Sequence, residues 1–186
     1  MGRIVLALTL VGASLLVTSF EGYSAPPAEP PPVVPSPRLK VDQSNLVTSP
    51  EGLGLGNGLY GQTFVPKAHN LAQVDLLLTV NVLRPEGAQT TIGLFADITQ
   101  PPIATATAFV GGPAPGELAR FISFRFDPPI PLAKKTVYTI GWYGLPDLSW
   151  QFSFGDPYPP GQVVLYDGTP LNPPADFVFT TFSLKP

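Results

Sequence analysis

Between Gln73 and Leu83 the apolar side chains fall on every second position. Val74, Leu76, Leu78, Val80 and Val82 share one parity, and Asp75, Thr79 and Asn81 take the other. Successive side chains of a strand point to opposite faces, so this alternation predicts a strand with one buried face, Leu77 being the misfit. A helix through Leu71, Val74, Leu78 and Val82 competes. Asp75 and Thr79 would fall on its apolar face, and the β-branched residues lose rotamer freedom there, so the strand is preferred. The same rhythm recurs at Ile122, Phe124 and Phe126 against Ser123 and Arg125, and at Tyr138, Ile140 and Trp142 against Thr139 and Gly141.

From Arg38 onward, short apolar runs alternate with Pro and Gly clusters, including Pro-Pro pairs at 101, 128, 159 and 173. Strands are expected over Leu39–Ser44, Leu59–Phe64, Gln73–Leu83, Thr90–Phe95, Ile103–Phe109, Ala119–Phe126, Val137–Tyr143, Trp150–Phe154, Val163–Tyr166 and Phe177–Leu184. No helical segment separates them to make parallel crossovers. The expected fold class is therefore all-β: an antiparallel two-sheet β-sandwich of jelly-roll type, in one domain over residues 38–186.

The first 37 residues follow another pattern. Arg3 precedes an apolar run from Ile4 to Val17, with small and polar residues up to Ala25, the order of a secretory signal peptide over residues 1–25. Cleavage after Ala25 or after Ser19 remains open, and an uncleaved N-terminal anchor is the competing reading. Residues 26–37, PPAEPPPVVPSP, hold seven prolines in twelve positions, which favours an extended polyproline spacer over a compact element. An inert leader is the alternative. The expected location is extracellular or periplasmic, with no membrane span beyond a signal anchor and release, or retention through the N-terminus.

Composition narrows the field. With 44% hydrophobic and 12% charged residues in 186, the chain can build a core, which excludes a disordered polymer. A formal charge of −3 with ten dispersed Lys and Arg residues gives no basic footprint for nucleic acid. Absence of cysteine removes disulfides, thiolate metal sites and a Cys nucleophile.

Catalytic constellations are not marked out. The single histidine, His69, lies among turn residues and reads as an exposed loop residue; a Ser-His69-Asp triad has no serine singled out for it. Gly56-Asn57-Gly58-Leu59-Tyr60-Gly61 has the spacing of a dinucleotide loop, but a strand follows it where a helix should begin, so close strand approach is the better reading. Eight Asp and five Glu offer carboxylate pairs for glycoside hydrolysis without singling any out. The expectation is a protein that is not an enzyme.

Two aromatic clusters carry more information: Trp142-Tyr143 with Trp150 beyond the Gly144–Leu148 loop, and Asp156-Pro157-Tyr158-Pro159-Pro160-Gly161. A ring held by proline-rich backbone can stack on the apolar face of a sugar at small entropic cost. Tyr158, Trp150 and Tyr143, with Asp156 as acceptor for hydroxyls, are the candidate ligand-binding residues. Burial of Trp142 and Trp150 in the core is the competing reading. A structural calcium ion would suit an exported sandwich without disulfides, and Asp42 and Asp176, at the two ends of the domain, are its candidate ligands. The alternative is that Asp176 merely starts the last strand.

Several segments in order resemble a family of secreted bacterial β-sandwich domains, galactose-binding-like jelly rolls of the choice-of-anchor type. They are Val41-Asp42-Gln43-Ser44, Gly61-Gln62-Thr63-Phe64-Val65-Pro66, Leu71-Ala72-Gln73-Val74-Asp75-Leu76, Phe126-Asp127-Pro128-Pro129-Ile130-Pro131-Leu132 with Thr136-Val137-Tyr138-Thr139-Ile140, Asp156-Pro157-Tyr158-Pro159-Pro160-Gly161 and Ala175-Asp176-Phe177-Val178-Phe179. The likeness spans most of residues 41–182. Before its Tyr strand the family usually carries a glycine in the turn, where this chain has Lys134-Lys135. The resemblance implies recognition or display outside the cytoplasm with no catalytic residue. The expected function is thus a secreted, non-catalytic binding module for extracellular polysaccharide or another cell-surface component; a structural or display module without glycan binding is the alternative.

Overall fold

The protein is described from a computed structural model over residues 38–49, 54–56, 58–80 and 86–185. The signal-peptide and spacer readings, and the Asn81–Leu83 end of the long strand, lie outside these residues. By contacts the chain divides into Met1–Pro35 and Ser36–Pro186, and all the described residues belong to the second unit.

Among the described residues twelve strands make up two antiparallel sheets: β1 (Leu39–Asn45), β2 (Gly54–Leu55), β3 (Tyr60–Phe64), β4 (Asn70–Val80), β5 (Ala88–Phe95), β6 (Ala104–Val110), β7 (Ala119–Pro131), β8 (Tyr138–Trp142), β9 (Leu148–Phe154), β10 (Val163–Leu165), β11 (Ala175–Phe177) and β12 (Phe179–Leu184). The first sheet runs β1-β12-β4-β9-β11, with β2 added to β9 and β7 to β4; the second runs β10-β3-β8-β5-β6. The all-β, two-sheet reading of the sequence holds, and each of the ten expected strands has its counterpart. The last one is divided at Val178, whose backbone bonds to Leu77 and Gln151. The short β2 has no periodicity that two residues could show.

The alternation seen in the sequence is the division between inside and outside. On β4, Val74, Leu76 and Leu78 are fully buried, whereas Leu77 faces outward opposite Phe121 of β7. Ile122, Phe124 and Phe126 of β7 and Tyr138, Ile140 and Trp142 of β8 join the same core. Trp150 lies stacked on Phe177, with ring centroids 3.9 Å apart and planes 7° from parallel. Full burial of each such side chain contributes about 1.5–3 kcal/mol. Both indole N–H groups are satisfied internally, Trp142 donating to Thr90 Oγ1 at 2.7 Å and Trp150 to the Val178 carbonyl at 2.9 Å.

β7 continues five residues past its expected end despite three prolines. Among the described strands it pairs only with β4, and its register shifts there: Gln73 faces Arg125 whereas Leu71 faces Ile130. Phe126 to Pro129 therefore bulge opposite Ala72, which accommodates prolines that have no N–H to give the ladder.

In the second sheet Gly61, Gly141 and Gly93 sit in register on β3, β8 and β5. On β5, Ile92 and Leu94 face the core, so Gly93 and Phe95 face the other way, and the Phe95 ring lies over Gly93 and Gly141, while Thr139, Ile98 and Val164 cover Gly61. A Cβ on Gly141 would sit 2.5 Å from Phe95 Cε2. Gly141→Ala is expected to displace the ring and cost about 1–3 kcal/mol in urea unfolding. A variant as stable as wild type would show that the ring does not depend on the glycine row.

Candidate functional site

Asp176 of β11 is 1% exposed, yet its carboxylate is fully engaged. Oδ1 accepts from Gln62 Nε2 at 2.8 Å, and Oδ2 accepts from the Tyr158 backbone N–H at 3.1 Å. Gln62, itself fully buried on β3, returns its Oε1 to the Phe177 N–H at 2.7 Å. The Tyr158 side chain, 6% exposed, packs edge-on against Phe179 and donates its hydroxyl to Gln43 Oε1 at 3.0 Å. One polar chain thus links β3 of the second sheet to β11 and β1 of the first and pins the 155–162 loop.

Burial raises the Asp176 carboxyl above its ordinary value of 3.8; the bonds from Gln62 and the Tyr158 amide act against this, and the charge of Asp156 adds to it. Burial likewise pushes the Tyr158 phenol up to about 12, opposed by a bond from the Val65 amide and reinforced by the charges of Asp42 and Asp176.

These positions correct the expected binding surface. Trp150 and Tyr158 are buried in the core, so neither ring can present a face to a sugar. Tyr143 is 42% exposed and packs on Phe95 with ring centroids 6.4 Å apart. Asp156 is exposed in the loop before Tyr158. The four residues do not form one surface. His69 is exposed, as expected of a loop residue.

Nor do Asp42 and Asp176 make a calcium site. Calcium takes six to eight oxygen ligands, whereas both carboxylates here face N–H donors. Asp42 accepts from the Ala68 amide at 2.8 Å and the Lys67 amide at 3.2 Å, and so shapes the turn between β3 and β4. β1 pairs with β12 and β11 with β9, so the two carboxylates are not on neighbouring strands. Among the described residues no group of three or more acidic, His or Cys side chains could hold a metal ion.

What the fold does assemble is a cleft of about 340 Å³ lined by Gln43, Val65, Pro66, Lys67, Lys134, Lys135 and Pro160. Three separate loops meet there above β1. Asp42 fixes the Lys67 loop, Tyr158 sets the Gln43 amide, and the Ala133 N–H donates to the Tyr138 hydroxyl at 3.1 Å, closing the turn that carries Lys134 and Lys135. Lys135 adopts φ +62°, the left-handed conformation in which a glycine is at ease. The sequence did not single out this site: Lys134-Lys135 stood out only as an unusual turn, and neither Gln43 nor Pro160 was a candidate site residue.

Compared with models of known protein families and with curated proteins, the chain matches none.

Two outcomes follow from this geometry. A raised carboxyl favours the neutral folded form: its stabilising contribution is complete below 3.8 and is lost as pH rises through the folded value. Asp176→Asn lacks that titration, so wild type should lose stability relative to the variant as pH rises from roughly 4 to 7. Urea midpoints measured across that range check it, and a constant difference between the two proteins would sink the assignment. At Lys135, replacement by glycine removes the left-handed penalty but frees the unfolded chain, so Lys135→Gly should match wild type or exceed it by up to about 1 kcal/mol. A clear loss of stability in the same assay would mean that the lysine side chain holds the turn.

Proposed function

We propose that this chain is a non-catalytic recognition module acting outside the cytoplasm, with extracellular polysaccharide or another cell-surface component as its partner. The observation that carries this reading is the cleft lined by Gln43, Val65, Pro66, Lys67, Lys134, Lys135 and Pro160: a concave, apolar-walled surface held by three loops on a sandwich scaffold. Export rests on Arg3 and the Ile4–Val17 run followed by the proline-rich spacer. The resemblance to secreted jelly-roll domains of the choice-of-anchor type supports the same setting and supplies no catalytic residue.

A second reading, a structural or display module that binds no glycan, is favoured by the burial of Trp142, Trp150 and Tyr158. Cell fractionation and a binding screen separate the two. The full chain should appear in the periplasmic or extracellular fraction, and the folded protein should be retained by at least one polysaccharide of a broad panel without releasing sugar from any. Retention by none would establish the display reading, and confinement of the chain to the cytoplasm would overturn export.

A further inference from the structure

The outer face of the second sheet carries a group of side chains that neither the core nor the cleft uses. On β8 Trp142 is fully buried, on β5 Ile92 and Leu94 face the core, and on β6 Ala106 and Val110 do. Alternation along each strand sends Tyr143, Gln89, Thr91, Thr105, Thr107 and Phe109 to the solvent side. Tyr143 and Phe109 are 42% and 62% exposed there. The register sets these residues beside one another: Thr91 pairs with Thr107, Gln89 pairs with Phe109, and the Tyr143 N–H donates to the Thr91 carbonyl at 3.3 Å. With neighbouring strands about 4.8 Å apart, Tyr143, Thr91 and Thr107 make one line about 10 Å long across β8, β5 and β6.

The Tyr143 ring is braced from behind. It rests on Phe95, which is 2% exposed and packed over Gly93 and Gly141. A Cβ at either glycine would meet the Phe95 ring at 2.5 Å, so the absence of both side chains is what lets Phe95 settle against the sheet and support Tyr143. An aromatic surface ordered before a ligand arrives has little entropy left to lose on binding.

The two threonines supply a second and independent sign. Their Oγ1 atoms are hydrogen-bonded to each other at 2.9 Å. A hydroxyl has one proton and two lone pairs, so the shared bond uses one proton and one lone pair and leaves the couple with one donor and three acceptor positions. Two adjacent hydroxyls of a sugar match it, one accepting and the other donating.

The chemistry of the face selects the ligand further. None of the six residues is Asp, Glu, Lys, Arg or His, so an ionic partner finds no opposite charge among them. Their side chains are aromatic rings, hydroxyls and an amide, which suit C–H faces rimmed by hydroxyls. Taking the class of partner from the recognition reading above, we infer that this face is a glycan platform separate from the cleft: a neutral polysaccharide lays the C–H face of one ring on Tyr143 and turns two adjacent hydroxyls to Thr91 and Thr107.

The test uses the full-length folded chain with dextran, xylan and galactomannan as neutral probes and polygalacturonate as the acidic one, followed by calorimetry at low and high salt. At least one neutral probe should bind, more tightly than polygalacturonate and with little change in salt. Tyr143→Ala should weaken that binding about tenfold, and Tyr143→Phe, which keeps the ring, should stay within about twofold of wild type. Thr91→Val with Thr107→Val removes both hydroxyls at solvent-facing positions and should weaken it about fivefold, which keeps the face testable even where Tyr143→Ala does not fold. Phe154→Ala, the loss of an exposed ring on β9 of the other sheet, should change nothing. Neutral-glycan binding that survives both Tyr143→Ala and the threonine double variant, or that falls equally in Phe154→Ala, would overturn the platform and leave the recognition reading standing. Binding confined to polygalacturonate and abolished by salt would do the same. Concentration-dependent dimers that Tyr143→Ala dissolves, without glycan binding, would assign the face to a second copy of the chain and overturn the platform. Failure of the folded protein to bind any glycan would remove both the platform and the glycan reading.

Discussion

The contact between Asp176 and Gln62 is the constraint on which the arrangement of the cleft depends. A carboxylate out of water is tolerated only when donors meet both its oxygens, and here one donor comes from the opposite sheet and the other from a loop. That loop carries Tyr158 into the core, Tyr158 turns the Gln43 amide, and Gln43 forms part of the cleft wall. Each step uses a polar group whose position the previous one has set. The site is placed from inside the molecule outward, and its exposed lysines are the last link.

The strands were legible where a period of two runs long enough to be seen, as on β4, β7 and β8, because that alternation is the direct trace of one wet and one dry face. Where the backbone departs from regular pairing the trace fails: β7 carries on through a proline bulge, and β11 and β12 part at Val178. The aromatic loops misled for a related reason. Prolines beside Tyr158 restrict φ but say nothing about which way the ring turns, and that is decided by Gln43 and Asp176. Gln43 lies 115 residues from Tyr158 in sequence and Gln62 lies 114 from Asp176, so no local window contains either pair. Lys134-Lys135 was visible as a departure from a family's turn glycine. Its meaning became readable only once the turn was seen beside Gln43 and Lys67.

Global charge and local charge point in different directions in this protein. A pI near 5.0 describes the chain as an acid, yet potential at short range follows the nearest few groups, because salt screens the remainder within about 8–10 Å. The whole-chain sum therefore says little about the charge beside the three exposed lysines at the cleft.

The proline bulge of β7 has a consequence for how copies of this protein behave when crowded together. A strand of thirteen residues that pairs on one side only among the described strands offers its other side as a template for a foreign chain. Phe126 to Pro129 interrupt that template, since two of the four lack an N–H and the backbone leaves the plane of the ladder. An incoming strand could zip along Ala119 to Arg125 and would then lose register. A foreign strand could therefore pair over those residues, but it could not be extended in register through the bulge to Pro131.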